Sequence, residues 1–183
     1  MEHLISKEYK EKIVKHHSKT SKWGGAVNNK QTLIHKYVLL SDSKSVLDYG
    51  SGSGAFKNGI EQMYPDYKYK IHEYEPGKPG LPGKPGLDED PPVCDATICY
   101  DVLEHVEPDK IDNVLQHIYD KTNKWFICNI CCVPALGAFG DGSNLHLLVK
   151  KPEWWIKKLL TDKWNCLEIQ VTNKSVNLLL KKN

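Results

Sequence analysis

Residues 45–56 read SVLDYGSGSGAF, a short apolar run that continues into a glycine-rich turn. Its glycines, Gly50, Gly52 and Gly54, allow a sharp backbone turn and bring amide groups close to a ligand at a helix N-terminus. The residues that follow, AFKNGIEQMY, are typical of a helix. In open α/β sheets, ligands bind beyond the carboxyl ends of the strands, where the strand order reverses. The stretch therefore predicts a strand, a ligand-binding loop and a helix in succession.

Strand-like and helix-like segments alternate along the rest of the chain. The patterns predict strands at 67–75, 93–100 and 124–133, and helices at 110–120 and 152–160. This alternation predicts a doubly wound α/β, Rossmann-like sheet that is mostly parallel, with helices on both faces. Residues 164–182 predict a C-terminal antiparallel hairpin with its turn at Thr172–Lys174.

The same pattern indicates the domain organisation. A chain of 183 residues, 40% of them apolar, suits a single domain with its own core. We expect residues 1–43 to form a helical cap, with helices at 2–18 and from Asn28 or Asn29 to Leu40. Residues 44–183 are expected to form the α/β core.

The charge and the apolar pattern disfavour several classes of partner. The formal net charge is +2, and all 25 basic residues are lysines. Arginine supplies bidentate forks to guanine and phosphate, so its absence disfavours sequence-specific DNA binding; an AT-rich coding sequence would explain the bias equally well. The N-terminus lacks an apolar signal core, and no apolar run is long enough to span a bilayer. We therefore expect a cytoplasmic protein with no membrane partner.

Six cysteines are consistent with a reducing compartment. Two of them, Cys128 and Cys131, form a C-x-x-C in KWFICNICCV, a predicted buried strand in which residues three apart point to opposite faces. A zinc site would need a second pair of ligands at matching spacing, and the sequence shows none. We therefore interpret the cysteines as small core residues.

Three motifs in the chain match one known family: LDYGSGSG at 47–54, HEYEP at 72–76 and DVLEHVEP at 101–108. With them the chain resembles the class I S-adenosylmethionine-dependent methyltransferases, from about residue 44 to the final hairpin. More narrowly, DGSNLHLLVKKPEWW at 141–155 is similar to small methyltransferase-like proteins of phages and bacteria. The resemblance implies S-adenosyl-L-methionine as the cofactor and leaves the methyl acceptor unidentified.

The resemblance also implies how the cofactor is held. The residues that would line its methionine part are Gly50, Ser51, Gly52 and Gly54. Asp48 would hold this loop and lie near the amino group. Glu75 would accept hydrogen bonds from both ribose hydroxyls, because a carboxylate only accepts and a vicinal diol offers two donors. Trp23 could close over the cofactor, but a tryptophan of the core or of an interface is the favoured interpretation. The implied cofactor-binding residues are Asp48, Gly50, Ser51, Gly52, Gly54, Glu75, Tyr100, Asp101 and Val102, the last three flanking the methionine end.

The glycine loop also fits a second class of protein. Through Ala55 it matches G-x-G-x-x-A, the dinucleotide fingerprint of nicotinamide oxidoreductases. In those proteins the position of Asp48 is normally an apolar strand residue. The carboxylate therefore favours the methyltransferase interpretation.

Methyl transfer from a sulfonium is an in-line displacement, in which the protein positions the acceptor and removes a proton from an oxygen or nitrogen. Three residues on loops at the strand ends are candidate catalytic bases: His105, Asp141 and His146. Glu104 and His105 fit equally well into a polar network at a helix start. The predicted function is methyl transfer to a small or exposed oxygen or nitrogen acceptor. The alternative is a non-catalytic S-adenosylmethionine-binding or regulatory module with the same fold.

A metal-dependent variant of this chemistry is the less favoured prediction. Asp101, Glu104 and His105, with the later His146, resemble the metal-ligand arrangement of small-RNA 2′-O-methyltransferases. Two carboxylates and two imidazoles would suit a divalent cation that polarises a hydroxyl acceptor. This chain has Asp101 where that family has glutamate, which shortens the reach of the first ligand.

Two proline-containing stretches complete the pattern. DPPV at 90–93 is similar to the D-P-P-Y of amino-methylating DNA enzymes. It precedes the strand that the motif should follow and lacks the aromatic residue, which disfavours DNA methylation.

The three Gly-x-Pro triplets in HEYEPGKPGLPGKPGLDED, residues 72–90, are too few for a collagen helix. They occupy the place where the family has a helix and its third strand. We therefore expect a proline- and glycine-rich loop in place of both.

Overall fold

Six strands form one sheet in the computed structural model, which describes residues 3–19, 30–80 and 86–183. The spatial order of the strands is β2-β1-β3-β4-β6-β5. The first four run parallel, and β6 pairs antiparallel with both β4 and β5, so the predicted doubly wound sheet with a terminal hairpin is confirmed. The strands are β1 (Ser45–Tyr49), β2 (Lys70–Tyr74), β3 (Cys94–Tyr100), β4 (Thr122–Cys131), β5 (Trp164–Val171) and β6 (Ser175–Lys182).

Helices cover both faces of the sheet. Ile34 of α2 and Phe56 of α3 share one core cluster with Ile98 of β3, while Ile118 of α4 and Trp155 of α5 belong to the cluster on the other face. The central strands are therefore buried on both sides, which explains their nearly continuous apolar sequences. The helices are α1 (Lys7–Lys19), α2 (Gln31–Leu40), α3 (Ala55–Met63), α4 (Ile111–Lys121) and α5 (Pro152–Leu159), with one 3₁₀ turn at Leu103–His105.

Some sequence-based predictions fall outside the described residues. Trp23 and the proposed caps Asn28 and Asn29 belong to this part of the chain, as do residues 81–85 of the Gly-Pro stretch. Helix α2 begins after Lys30, which makes no side-chain capping bond. Among the described residues, none of the helices combines the length and the apolar character that crossing a membrane requires.

The segment after β2 departs from the regular alternation. Strand β2 lies at the edge of the sheet, and the described residues between β2 and β3, 75–80 and 86–93, contain neither helix nor strand. The expected loss of the edge strand and its helix is confirmed for this part. The backbone N–H of Glu75 donates to the carbonyl of Leu87 at 2.7 Å, and the N–H of Leu87 donates to the carbonyl of Lys78 at 2.9 Å. The two ends of the segment are therefore held side by side at Glu75.

The cysteines divide into core and surface positions. Their interpretation as core residues is confirmed for four of them and wrong for the other two. Cys131 is half-buried because it ends β4 at the loop side, and Cys166 is exposed because β5 is the outer strand of the hairpin. The four buried cysteines are Cys94, Cys99, Cys128 and Cys132.

Candidate functional site

The glycine loop turns at the carboxyl end of β1. Its geometry depends on glycine, since Gly50 has φ +80° and a Cβ at this position would lie 2.5 Å from Cγ2 of Val102. The amides of Gly50 and Ser51 both donate to the carbonyl of Tyr74, at 2.8 and 3.0 Å. The loop is thereby fastened to the end of β2. Gly54, with φ +79°, precedes α3 as its N-cap.

Glu75 follows β2 directly and is buried beside this loop. Its Oε2 accepts the N–H of Gly52 and its Oε1 accepts the N–H of Gly77, each at 2.9 Å. His17 Nε2 of α1 lies 3.6 Å from Oε1. Burial alone would raise the pKa of Glu75, but the bonds from His17, Gly77 and Gly52 outweigh it and hold the pKa below its ordinary value. Glu75 is therefore a carboxylate that keeps further lone pairs for a ligand.

Asp48 is buried beneath the glycine loop, with 7% of its surface exposed. Burial raises the pKa of Asp48 to about 8, and the nearby carboxylates Glu73 and Glu75 add to this effect. The negative charge of Glu73 is offset by Lys57, whose Nζ lies 3.4 Å from Glu73 Oε2. Near pH 7 Asp48 is therefore protonated, and a cation close to it would favour its ionised form.

An open cleft lies above the loop, between the ends of β1 and β2 and helix α1. Three carboxylates line it, those of Glu75, Asp101 and Glu107. None of the described lysines lines it, although lysine is the most frequent basic residue of the chain. The remaining walls are largely apolar, with Tyr49, Tyr74 and Val102 among them. The cleft is therefore acidic in a protein of net positive charge.

Helix α1 and the residues before it cover the cleft. Ser6 lies just before the helix, where its Oγ accepts the N–H of Tyr9 at 3.1 Å as a cap and donates to Glu107 at 2.6 Å. Lys10 contacts Asp88 at 2.7 Å, and Lys12 contacts Asp141 at 3.0 Å. The helix residues that line the cleft are Tyr9, Ile13 and His17.

Two buried hydroxyls beside the cleft have no hydrogen-bond partner within the described structure: Tyr9 Oη and Ser51 Oγ. Buried polar atoms are normally paired, and leaving one unpaired costs about 1–3 kcal/mol. A bound ligand is a reasonable source of the missing partners. Burial also raises the pKa of Tyr9, and Glu107 and Glu75 raise it further, so the hydroxyl keeps its proton.

The structure places five of the nine predicted cofactor-binding residues in the lining of the cleft and the other four outside it. Gly50, Gly52, Glu75, Asp101 and Val102 line it. Asp101 has φ +52°, an uncommon conformation for a residue other than glycine. Ser51 and Gly54 belong to the same loop without lining the cleft, and Asp48 lies beneath it. The Tyr100 side chain packs on the other face of the sheet from Tyr49 and Tyr74, against the core cluster of α2 and α3.

The three candidate bases occupy different environments. His105 lines the cleft, and its Nδ1 donates to the carbonyl of Leu145 at 2.8 Å. Burial, reinforced by His146, lowers the pKa of His105 to about 4, so the ring is neutral near pH 7. His146 lies behind it, with ring centroids 4.7 Å apart in an edge-to-face contact.

Asp141 is exposed at a turn and does not line the cleft. Its Oδ1 accepts the hydroxyl of Ser143 at 2.6 Å and the Ser143 N–H at 3.0 Å, while Lys12 contacts its other oxygen. The bonds from Ser143, followed by Lys12, hold the pKa of Asp141 well below its ordinary value. These contacts stabilise the turn and leave a weakly basic carboxylate.

The four-residue metal arrangement suggested by the sequence does not form as a single group among the described residues. Glu104 and His146 come together, but the third residue with a ligand atom in range is Cys131, not Asp101 or His105. Burial raises the pKa of Glu104 well above its ordinary value, and the neighbouring Asp101 adds to this effect. The sequence showed Cys131 in a C-x-x-C pattern, but nothing in the pattern linked it to Glu104 and His146, because only the fold brings the three together.

Sequence reasoning predicted an N-terminal helical cap but did not identify the residues of α1 that line the cleft. The amphipathic pattern of α1 predicted a helix, but nothing in the pattern indicated that Tyr9 and His17 would face the ligand loop. Ser6 is a residue type favoured at helix N-caps, and it could have located the start of the helix.

No protein-family model and no curated protein matches the chain. Solved structures do match. The 1,6-didemethyltoxoflavin-N1-methyltransferase of Burkholderia thailandensis, solved with S-adenosylhomocysteine, has a TM-score of 0.62 and 15% identity over 96% of this chain and 89% of its own. An O-methyltransferase family protein from the same species has a TM-score of 0.60 and 13% identity over 95% of this chain. Human N-acetylserotonin methyltransferase, in complex with S-adenosylmethionine, has a TM-score of 0.58 and 15% identity over 95% of this chain.

The chain is shorter than some of these proteins, spanning 63% of the O-methyltransferase family protein and 56% of the human enzyme. The match nevertheless covers nearly all of this chain, including the parallel sheet and its terminal hairpin. These comparisons show that the protein has the doubly wound α/β fold found in S-adenosylmethionine-dependent methyltransferases.

Proposed function

We propose that the protein is an S-adenosyl-L-methionine-dependent methyltransferase. The observation that carries the proposal is the charge of the cleft at the glycine loop. Dinucleotides bring phosphates to such loops, and the carboxylates of Glu75, Asp101 and Glu107 would repel them where no described lysine compensates. S-adenosylmethionine instead brings a sulfonium and an ammonium group, which an acidic cleft attracts.

The residues of the loop fit this cofactor. Glu75 has the acceptor capacity for a ribose diol, and Ser51 Oγ offers a buried hydroxyl that has no partner in the described structure. Asp48, with its pKa raised to about 8, would be stabilised as a carboxylate by a nearby ammonium group. When bound, the cofactor supplies an activated methyl group. The fold comparisons support this choice, since solved neighbours hold S-adenosylmethionine or S-adenosylhomocysteine.

Among the three candidate bases only His105 lines the cleft, and its lowered pKa makes the neutral ring a weak base. A carbonyl can only accept, so the bond to Leu145 places the proton of the neutral ring on Nδ1. Nε2 then carries the lone pair that can take a proton from an acceptor in the cleft. His146 supports the orientation of the His105 ring through their edge-to-face contact.

Four further features of the proposal each have an observation that supports them. A small or exposed acceptor is supported by the absence of an inserted recognition domain among the described core elements. Sequence-specific DNA stays disfavoured because the chain has no arginine. The kinship with small phage and bacterial proteins is supported by the motifs at 101–108 and 141–155, and a reducing, cytoplasmic location by six unpaired thiols.

Calorimetric titration with S-adenosylmethionine and S-adenosylhomocysteine tests cofactor binding. We expect both to bind the wild type and Glu75→Gln to lose about 10- to 100-fold in affinity, because an ionised acceptor is replaced by an amide that accepts through one oxygen only. The matched control is Glu61→Gln on the exposed side of α3, which should bind as the wild type does. Absence of binding to both compounds would refute the proposal.

Turnover needs a separate experiment. Labelled methyl transfer from S-adenosylmethionine into fractions of small molecules, RNA and protein would identify an acceptor class. Binding without transfer into any fraction would favour the non-catalytic binding module instead.

A further inference from the structure

Behind His105, three potential metal ligands meet from separate parts of the chain. They are Glu104 of the 3₁₀ turn, Cys131 at the end of β4 and His146 of the following loop, and one ligand atom from each lies within 4.8 Å of the others. We propose that these residues bind a zinc ion, with a carboxylate, a thiolate and an imidazole as protein ligands. The proposal is independent of the proposed methyltransferase function.

Glu104 provides a carboxylate oxygen that lacks a partner. The residue is fully buried; its Oε1 accepts the N–H of Cys131 at 2.8 Å, while its Oε2 has no hydrogen-bond partner within the described structure. A buried carboxylate oxygen without a partner is costly, and metal coordination is one of the few ways in which buried carboxylates are satisfied. The unpaired oxygen is therefore available to coordinate a cation.

His146 is held in the tautomer that a metal requires. Its Nδ1 lies 2.6 Å from the carbonyl of Val133, and this nitrogen must donate because a carbonyl only accepts. The lone pair of the neutral ring is then on Nε2. Metal-binding histidines commonly donate their second nitrogen to a backbone carbonyl in this way, which fixes the ring and raises its basicity.

The loop that carries His146 is itself held by Asn144. Its Oδ1 accepts the N–H groups of His146 and Ala135 at 2.9 and 3.0 Å, and its Nδ2 donates to the carbonyl of Ala135 at 2.8 Å. Hydrogen bonds within the loop therefore hold the imidazole in place, as the outer partners of a metal ligand commonly do.

Cys131 decides which metal fits. Thiolate and imidazole together select zinc over magnesium or calcium, which prefer all-oxygen sites. Three protein ligands leave one tetrahedral position for water or another molecule. Tetrahedral zinc ligands lie roughly 3.3–3.8 Å apart, so the ligand atoms need to close by about 1.0–1.5 Å at most. Cys131 and His146 are half-buried, which leaves a route from solvent.

Thiol protection tests the site in the unaltered protein. Purified reduced protein is stripped of metal, then labelled with N-ethylmaleimide with and without zinc, and the modified cysteines are located by mass spectrometry. We expect zinc to slow modification of Cys131 by about 10-fold or more, because coordination occupies the thiolate. Cys166, which is exposed, serves as the internal control and should react at the same rate in both samples. Equal labelling of Cys131 with and without zinc would overturn the proposal.

Metal analysis then tests the ligand set. Cobalt(II) bound in place of zinc should give the absorption spectrum of a tetrahedral site, with a sulfur-to-metal charge-transfer band. Cys131→Ser should abolish that band. Zinc affinity should fall in Cys131→Ser and His146→Gln by more than the roughly 10- to 100-fold typical of losing an outer partner of a ligand. Cys166→Ser and His72→Gln are the controls and should bind zinc as the wild type does. Binding of magnesium in preference to zinc, or equal zinc affinity in all variants, would contradict the assignment.

Discussion

The floor and the cover of the cleft are built in different ways. The floor is the loop from Gly50 to Gly54 with Glu75, held by backbone amides that donate to the Tyr74 carbonyl and to the Glu75 carboxylate. The cover is α1, attached through side-chain pairs such as Lys10–Asp88 and Lys12–Asp141. A change in the floor has no room to relax, whereas a change in the cover removes one of several replaceable contacts. Substitutions in the two regions should therefore differ in size.

The largest effect is expected at Gly50. Gly50→Ala places a methyl group 2.5 Å from Val102 Cγ2 at φ +80°, so overpacking and backbone strain together should cost about 2–5 kcal/mol of unfolding free energy. Chemical denaturation measures this cost, and calorimetry should show weakened S-adenosylmethionine binding. Gly140→Ala is the matched control, since a Cβ there meets nothing within 4 Å. Similar costs for the two variants would mean that the floor is not rigid.

Asp48 should give the next largest effect, as a pH dependence. Its pKa of about 8 in the folded protein lies above the ordinary value of 3.8. Between about pH 5 and 7, Asp48 is therefore protonated in the folded protein and ionised in the unfolded protein. Its stabilising contribution to the unfolding free energy is full below pH 3.8 and is lost as the pH rises towards 8. Asp48→Asn should remove this loss.

The measurement is denaturation of both proteins at several pH values. The unfolding free energy of Asp48→Asn minus that of the wild type should grow by about 1.4 kcal/mol per pH unit across this range. Parallel pH profiles would show that Asp48 is already ionised in the folded protein.

In the cover, Tyr9 should give a smaller effect of opposite sign. Tyr9→Phe removes a buried hydroxyl that has no partner in the described structure, so the unfolding free energy without ligand should rise by about 1 kcal/mol. Ligand affinity should fall if that hydroxyl contacts the ligand. Tyr67→Phe, on a half-buried ring outside the cleft, is the control. A loss of stability in Tyr9→Phe would show that the hydroxyl is paired in solution.

The smallest effect is expected at Lys12. Its contact with Asp141 is exposed to solvent, where salt and water screen ion pairs. Lys12→Gln should therefore unfold at the same denaturant midpoint as the control Lys36→Gln, an exposed residue of α2. A clearly lower midpoint for Lys12→Gln alone would show that the cover depends on single side-chain pairs.

A similar contrast, between local and long-range features, explains which parts of the fold and of the site could be predicted from the sequence. The strand, glycine loop and Glu75 are local features with strict backbone demands, and they could be predicted from a few residues. The group formed by Glu104, Cys131 and His146 depends on how strands β3 and β4 align and on where the next loop folds back. Cys131 was misinterpreted for that reason, because the strand pattern indicates two alternating faces but does not show what lies beyond the end of a strand.

The closed base of the Gly-Pro segment has a practical consequence. Since Glu75 and Lys78 are bonded to Leu87, the chain between them starts and finishes at one fixed point, whatever its length. Each doubling of a flexible loop costs only about 0.6 kcal/mol. A tag, a fluorescent reporter or a substrate-recruiting peptide inserted after Gly80 would therefore leave the carboxylate of Glu75 in place.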